Sequence, residues 1–244
     1  MSERIVFALV SFTALVPAII LHEVAHGYVA YLCGDSTARD EGRLSLNPLR
    51  HVDPFMSVIL PAFLALSGSR VLFGGAKPVP INLGRCRNPL RAYWMTAAAG
   101  PLCNLLQTAA GALFFAATGW LVSAALSSDE PWSWVVRQSG FEWRGFEPVR
   151  VFRVRPWLEW TQVWLYCYCA TNAALMVFNL IPIPPLDGSR IVTVLLRGNA
   201  RRTYASLERY GLLLVFAVLY FPQTGRVLSR LVDAMLSLLG VKGV

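Results

Sequence analysis

Five consecutive residues could do chemistry that the rest of the chain would have to position: His22-Glu23-Val24-Ala25-His26. On a helix, residues four apart share a face, so His22 and His26 can offer two imidazole nitrogens to one zinc ion, with Glu23 beside that face. Zinc makes water more acidic, and a neighbouring carboxylate can then take its proton. Two histidines leave a catalytic zinc short of its usual three protein ligands, so a further His, Asp or Glu is required. Among histidines only His51 remains. Asp187 is the better candidate, lying in Asn179-Leu180-Ile181-Pro182-Ile183-Pro184-Pro185-Leu186-Asp187-Gly188, where three prolines break an apolar helix and a permissive glycine follows. The competing reading is that Asp187 caps a helix predicted over 188–197.

The elements that must hold these residues are apolar. The 244-residue chain is 55% hydrophobic and 15% charged, whereas soluble domains carry charge on roughly a quarter of their residues. Several apolar stretches approach the ~20 residues needed to cross a bilayer. The expected fold is an all-α polytopic membrane protein, a single domain over 1–244, with membrane-embedded segments at 4–33, 54–73, 91–126, 157–181 and 204–221. In 223–240, Arg226, Arg230, Asp233 and Ser237 recur opposite Leu228, Leu231, Val232, Met235 and Leu239. That amphipathic helix either packs on its neighbours at the interface or makes a sixth span. In such a setting, an unpaired ionisable group costs several kcal/mol, so His22, Glu23 and His26 need a common partner.

The formal net charge of +8 needs no nucleic-acid partner. Lysines and arginines gather in 34–53, 74–91 and 186–209, stretches that would prefer the cytoplasmic side of a membrane, although the opposing 128–157 loop carries five arginines of its own. Placing both flanks of 54–73 on one side leaves two routes. Either 54–73 is a re-entrant hairpin broken near Pro61 and Gly68, or 74–84 returns in extended form through a protein-lined cavity. Pro78 and Pro80 at alternate positions oppose helix and favour the second. Residues 1–33 have the outline of a signal peptide, but His22, Glu23 and His26 stand where a small-residue cleavage site belongs, so a retained helix is expected. Cys33, Cys86, Cys103, Cys167 and Cys169 are odd in number and include no C-x-x-C pair, which argues against a disulfide framework or cysteine zinc site. Gly42-Arg43-Leu44-Ser45-Leu46-Asn47-Pro48 alternates apolar and polar residues and predicts a short strand. Asp53-Pro54 reads as a helix start, N-cap then N1. His51 is read as a residue behind the site or on its substrate side, not as a zinc ligand.

H-E-x-x-H in one hydrophobic helix and N-x-x-P-x-P-x-L-D-G in a later one resemble the site-2 protease family of intramembrane zinc metalloproteases. Asn179, Pro182, Pro184, Leu186, Asp187 and Gly188 match the second pattern, and Gly100-Pro101-Leu102-Cys103-Asn104 matches a Gly-x-x-x-Asn element of the same family. The resemblance implies that Asp187 completes the ligand set with His22 and His26. It implies that Asn104 and Asn179 face the site, on substrate backbone or an oxyanion; interhelical hydrogen bonding is their alternative role. The family places an edge strand near its site, where an unwound substrate can pair, and Gly42–Pro48 would supply it; Pro78-Val79-Pro80 would line the same cleft. The chain looks like a compact member with neither a PDZ-type nor a CBS-type module.

These readings combine into an expectation. One Zn²⁺ per chain, held by His22, His26 and Asp187, would work with Glu23 to cleave a peptide bond in or near a substrate's transmembrane segment. Plausible substrates are membrane-tethered regulators or signal-peptide remnants. The expected partners are that substrate, the lipid bilayer and a separate regulatory or adaptor protein; the expected location is a prokaryotic cytoplasmic membrane, with the site nearer its cytoplasmic face. The rival is a metal or proton transporter using the same His/Asp cluster, which should show repeated halves or a polar chain through the membrane.

Overall fold

The computed structural model describes residues 3–59, 75–126, 141–142, 145–146 and 156–241. Its elements are helical: α1 (Glu3–Leu32), the short α2 (Thr37–Asp40), α3 (Pro89–Leu126), α4 (Pro156–Asn179), α5 (Asp187–Leu195), α6 (Gly198–Ala205), α7 (Gly211–Tyr220) and α8 (Pro222–Leu238). Two are long and apolar enough to cross a membrane, at Leu9–Leu32 and Pro89–Trp120, or three if Gly198–Tyr220 and Pro222–Leu238, bent by 85°, form one broken span. The described residues therefore carry two to three candidate spans rather than the expected five to six. Most of 54–73 lies outside them. Phe12 and Leu32 on α1, and Leu106, Leu113 and Phe114 on α3, are exposed, an apolar surface suited to lipid rather than water.

The strand expected over 42–48 does not form. A strand needs a neighbouring backbone ladder, and here the polar groups are satisfied locally. Arg43 N–H bonds to Ala38 O, Asn47 N–H to Ser45 Oγ, and Leu49 N–H to Asn47 Oδ1. The described extended pairing lies elsewhere, between β1 (Phe141–Glu142) and β2 (Gly145–Phe146). Asp53 does start a turn, its Oδ1 accepting from Phe55 N–H ahead of the wide helical turn Pro54–Ile59. Residues 75–82 form no helix, as Pro78 and Pro80 require.

The chain divides into two compact units, within α1 between Ala18 and Ile19 and within α3 between Cys103 and Asn104. One comprises Met1–Ala18, Asn104–Leu180 and Leu212–Val244. Its core joins Phe115 of α3, Val163, Tyr166 and Cys169 of α4, and Val232 and Leu236 of α8. The amphipathic helix thus packs by its apolar face, leaving Arg226, Arg230 and Asp233 exposed. The other unit comprises Ile19–Cys103 and Ile181–Gly211 and contains the metal-type residues.

Candidate metal centre

His22 and His26 are 6% exposed and lie one turn apart on α1, as their spacing requires. The His26 Nδ1–H donates to the Thr96 carbonyl of α3 at 2.6 Å. That bond places the proton on Nδ1 and leaves Nε2 as an acceptor. His26 Nε2 stands 3.0 Å from His22 Nε2.

Asp187 reaches the same point from the far end of the sequence. Pro182, Pro184 and Pro185 interrupt the chain after α4, and α5 starts at Asp187 with Leu186 as its extended N-cap residue. No side-chain cap bond forms there. The carboxylate instead faces the imidazoles, with Oδ2 3.4 Å from His22 Nε2 and 3.3 Å from His26 Nε2. This buried oxygen has no hydrogen-bond partner.

Two imidazole nitrogens and a carboxylate oxygen meeting at one buried point offer a cation three ligand atoms. Tetrahedral zinc with ligand bonds of about 2.0–2.1 Å separates its ligand atoms by roughly 3.3 Å. The separations of 3.0, 3.3 and 3.4 Å suit that geometry, so these three residues fit a metal ion.

Gly100 makes the close approach of α3 feasible. A Cβ there would lie 2.5 Å from both His22 Cε1 and His26 Nε2. The glycine stood out in the sequence only as part of a motif, whereas its structural use is steric. Its setting in Ala97-Ala98-Ala99-Gly100 is the signal of a close helix approach.

Glu23 is partly buried, and its Oε2 accepts the Val79 N–H at 3.1 Å. Pro78-Val79-Pro80 thus lies at the candidate site, as expected of a cleft-lining segment. His51 is 3% exposed; its Nε2–H donates to the Ser45 carbonyl, and its own carbonyl accepts the Lys77 N–H at 2.8 Å. It holds the loop that faces residue 77 rather than joining the His–His–Asp cluster. Asn104 and Asn179 belong to the other unit. Asn104 is fully buried and donates from Nδ2 to Asn172 Oδ1 at 2.7 Å, while Asn179 Nδ2 donates to Leu175 O in its own helix.

An apolar membrane-length helix whose two imidazoles meet a carboxylate delivered after a proline break, beside a second carboxylate, describes a membrane-type metallohydrolase. The chain belongs to peptidase family M50, whose profile matches residues 10–222. It is 32% identical over 214 residues to YwhC of Bacillus subtilis, covering 86% of this chain and 80% of that protein. It is 27% identical over 215 residues to Rip2 of Mycolicibacterium smegmatis strain mc(2)155, covering 88% and 68%. Both relatives bear the words zinc metalloprotease in their names. No solved structure matches the chain significantly. This is a zinc metalloprotease of family M50, and its apolar helices together with the family point to an integral membrane protein.

Proposed function

We propose that the chain is an intramembrane endopeptidase holding one zinc ion on His22, His26 and Asp187, and that it cleaves peptide bonds in or near the transmembrane segments of membrane proteins. The observation that carries this reading is the convergence of His22 Nε2, His26 Nε2 and the buried Asp187 Oδ2 beside Glu23. Zinc bound there supplies Lewis acidity, which polarises a carbonyl and makes water easier to deprotonate.

The protein's residues do the rest. With Oε2 accepting from Val79, Glu23 keeps Oε1 to take the proton of the attacking water and pass it to the leaving amine. The Thr96 carbonyl keeps the His26 proton on Nδ1. The family resemblance would put Asn104 and Asn179 on substrate backbone or an oxyanion; the bonds they make here, to Asn172 Oδ1 and Leu175 O, favour their alternative role in helix packing. The substrate helix must be extended before attack, and the non-helical run 75–82 is the segment beside which it would lie.

Single-span regulators and signal-peptide remnants are the proposed substrate classes, with a separate adaptor for gating and no nucleic acid. The arginine-rich stretches favour a prokaryotic cytoplasmic membrane with the site nearer the cytoplasm. The transporter alternative is not favoured, since family and relatives are peptidases.

The test is reconstitution of purified protein with a panel of single-span substrates, comparing wild type with Glu23→Gln. Zinc should bind to both, and only the wild type should cleave. Equal cleavage by both would remove Glu23 from the mechanism.

A further inference from the structure

Arg43 is an unexplained buried cation. It follows Gly42, whose φ of 65° turns the chain out of α2, and it is 5% exposed. No carboxylate pairs with it among the described residues, although burying a guanidinium is costly unless it is paired or well hydrogen-bonded. Its Nη2 instead donates to the Lys77 carbonyl at 2.7 Å and reaches the Pro78 carbonyl at 3.4 Å.

The second contact bears on Glu23. The Pro78 carbonyl and the Val79 N–H belong to one planar peptide group and point in opposite directions. Anchoring the carbonyl side therefore fixes where the N–H points. A cation on the carbonyl also polarises the peptide and strengthens its N–H as a donor. Pro78 and Pro80 carry no N–H, so Val79 provides the sole main-chain donor from residue 78 to residue 80, and it goes to Glu23 Oε2.

Packing holds the same geometry. Val79 is 7% exposed, and a Cβ on Gly27, one turn beyond Glu23, would lie 2.8 Å from Val79 Cγ1. The bare glycine lets the segment seat on α1.

We propose that Arg43 is a positioning residue for the proteolytic reaction. Through the Lys77 and Pro78 carbonyls it aims the Val79 N–H at Glu23 Oε2, which orients the carboxylate so that Oε1 meets the attacking water. The role rests on the reading of Glu23 as the proton-transferring residue. Arg43 touches neither the metal-type cluster nor the reacting atoms in this scheme.

The experiment uses the full-length zinc-loaded protein in liposomes with a single-span substrate, comparing wild type, Arg43→Gln, Arg43→Lys, Glu23→Gln and Glu23→Ala. Misplacing a reacting group by about 1 Å can cost ~100-fold, so Arg43→Gln should lower kcat by roughly 10–100-fold with KM changed less than about twofold. Zinc content should match wild type, and Arg43→Lys should recover part of the loss. Hydrogen exchange supplies a readout independent of turnover: the Val79 amide should exchange at least about tenfold faster in Arg43→Gln and also in Glu23→Ala, because each removes one end of the same relay. Wild-type kcat in Arg43→Gln, or a loss that appears in KM or zinc content while Val79 stays protected, overturns the proposal. If Arg43→Gln does not fold, Arg43→Lys decides: a partial loss of kcat with faster Val79 exchange at wild-type zinc content supports the positional role, and wild-type kcat, or a loss confined to KM or zinc content, overturns it. Cleavage by Glu23→Gln would instead strike the underlying reading of Glu23, a distinct result.

Discussion

The two compact units treat buried polar groups differently. In the unit of Met1–Ala18, Asn104–Leu180 and Leu212–Val244, side-chain amides and hydroxyls pair with each other. Asn104 bonds Asn172, Asn172 Nδ2 bonds Tyr168 O, and Tyr168 OH bonds Gln107 Oε1 at 2.6 Å. These contacts are interhelical or within a helix and resemble ordinary membrane-helix glue. In the unit of Ile19–Cys103 and Ile181–Gly211, buried Asp187 Oδ2, Arg43 Nε and His51 Nδ1 lack a hydrogen bond, against Gln162 Oε1 alone among the described residues of the first unit. There the backbone leaves helical form at 75–82 and at the prolines before Asp187. Unmatched polar atoms gathered where regular structure breaks are the mark of a region arranged around a ligand and a reaction rather than for stability.

Changes to the two units should therefore separate chemistry from stability. The largest effect is expected at the ligand cluster. Asp187→Ala should lower zinc affinity by more than about 100-fold, beyond the loss typical of residues behind the ligands, and abolish cleavage. Unchanged affinity in a zinc titration would return Asp187 to the capping role that its sequence context also allowed.

Gly100→Ala comes next and sets the two properties against each other. Alanine favours helix over glycine by about 1 kcal/mol, yet its methyl would meet both imidazoles at 2.5 Å. Thermal unfolding should show little loss of stability, while zinc affinity falls by roughly 10–100-fold. Normal affinity would show that α3 can withdraw from the histidines.

The helical unit should respond the other way. Asn172→Ala removes the acceptor of Asn104 Nδ2 and should cost about 0.6–2 kcal/mol of stability, with kcat per folded molecule preserved. A kcat loss beyond tenfold would bring Asn104 into the chemistry and break the contrast between the units.

The smallest effect lies outside the membrane segments. Burial would raise the Asp35 carboxyl pKa, but hydrogen bonds from the Thr37 hydroxyl and from the Asn82 and Thr37 backbone, with Arg85 nearby, outweigh it and hold the group below its usual range. A folded pKa below the unfolded one gives stability that is complete above about pH 4 and lost as pH falls through the folded value. Asp35→Asn should flatten that acid decline in denaturant unfolding. Because Asp35 Oδ2 accepts the Asn82 N–H, it should also loosen residues 80–83 in hydrogen exchange.

Legibility in the sequence followed the range of the interactions. Apolar length marked 4–33 and 91–126 as membrane-type segments, close to the observed Glu3–Leu32 and Pro89–Leu126, and spacing on a helix placed His22 and His26 together, because both depend on local sequence. The periodicity of 223–240 likewise anticipated a packed amphipathic helix. Alternation misled at 42–48, since a strand requires a partner that lies outside its own pattern. The prolines flanking Val79 announced a non-helical stretch, but nothing local said that its single N–H would meet Glu23.

The sequence by itself determined which residue types could form the metal centre and that they sit in apolar surroundings, since composition and helical spacing are carried by each segment alone. Only the tertiary structure decided that the Asp187 carboxylate turns to the histidines instead of capping α5, that Gly100 admits α3 to their side, and that Arg43 stands behind the peptide bound to Glu23. Each of these depends on groups distant in sequence meeting within a few ångströms, and a linear pattern holds no measure of that distance.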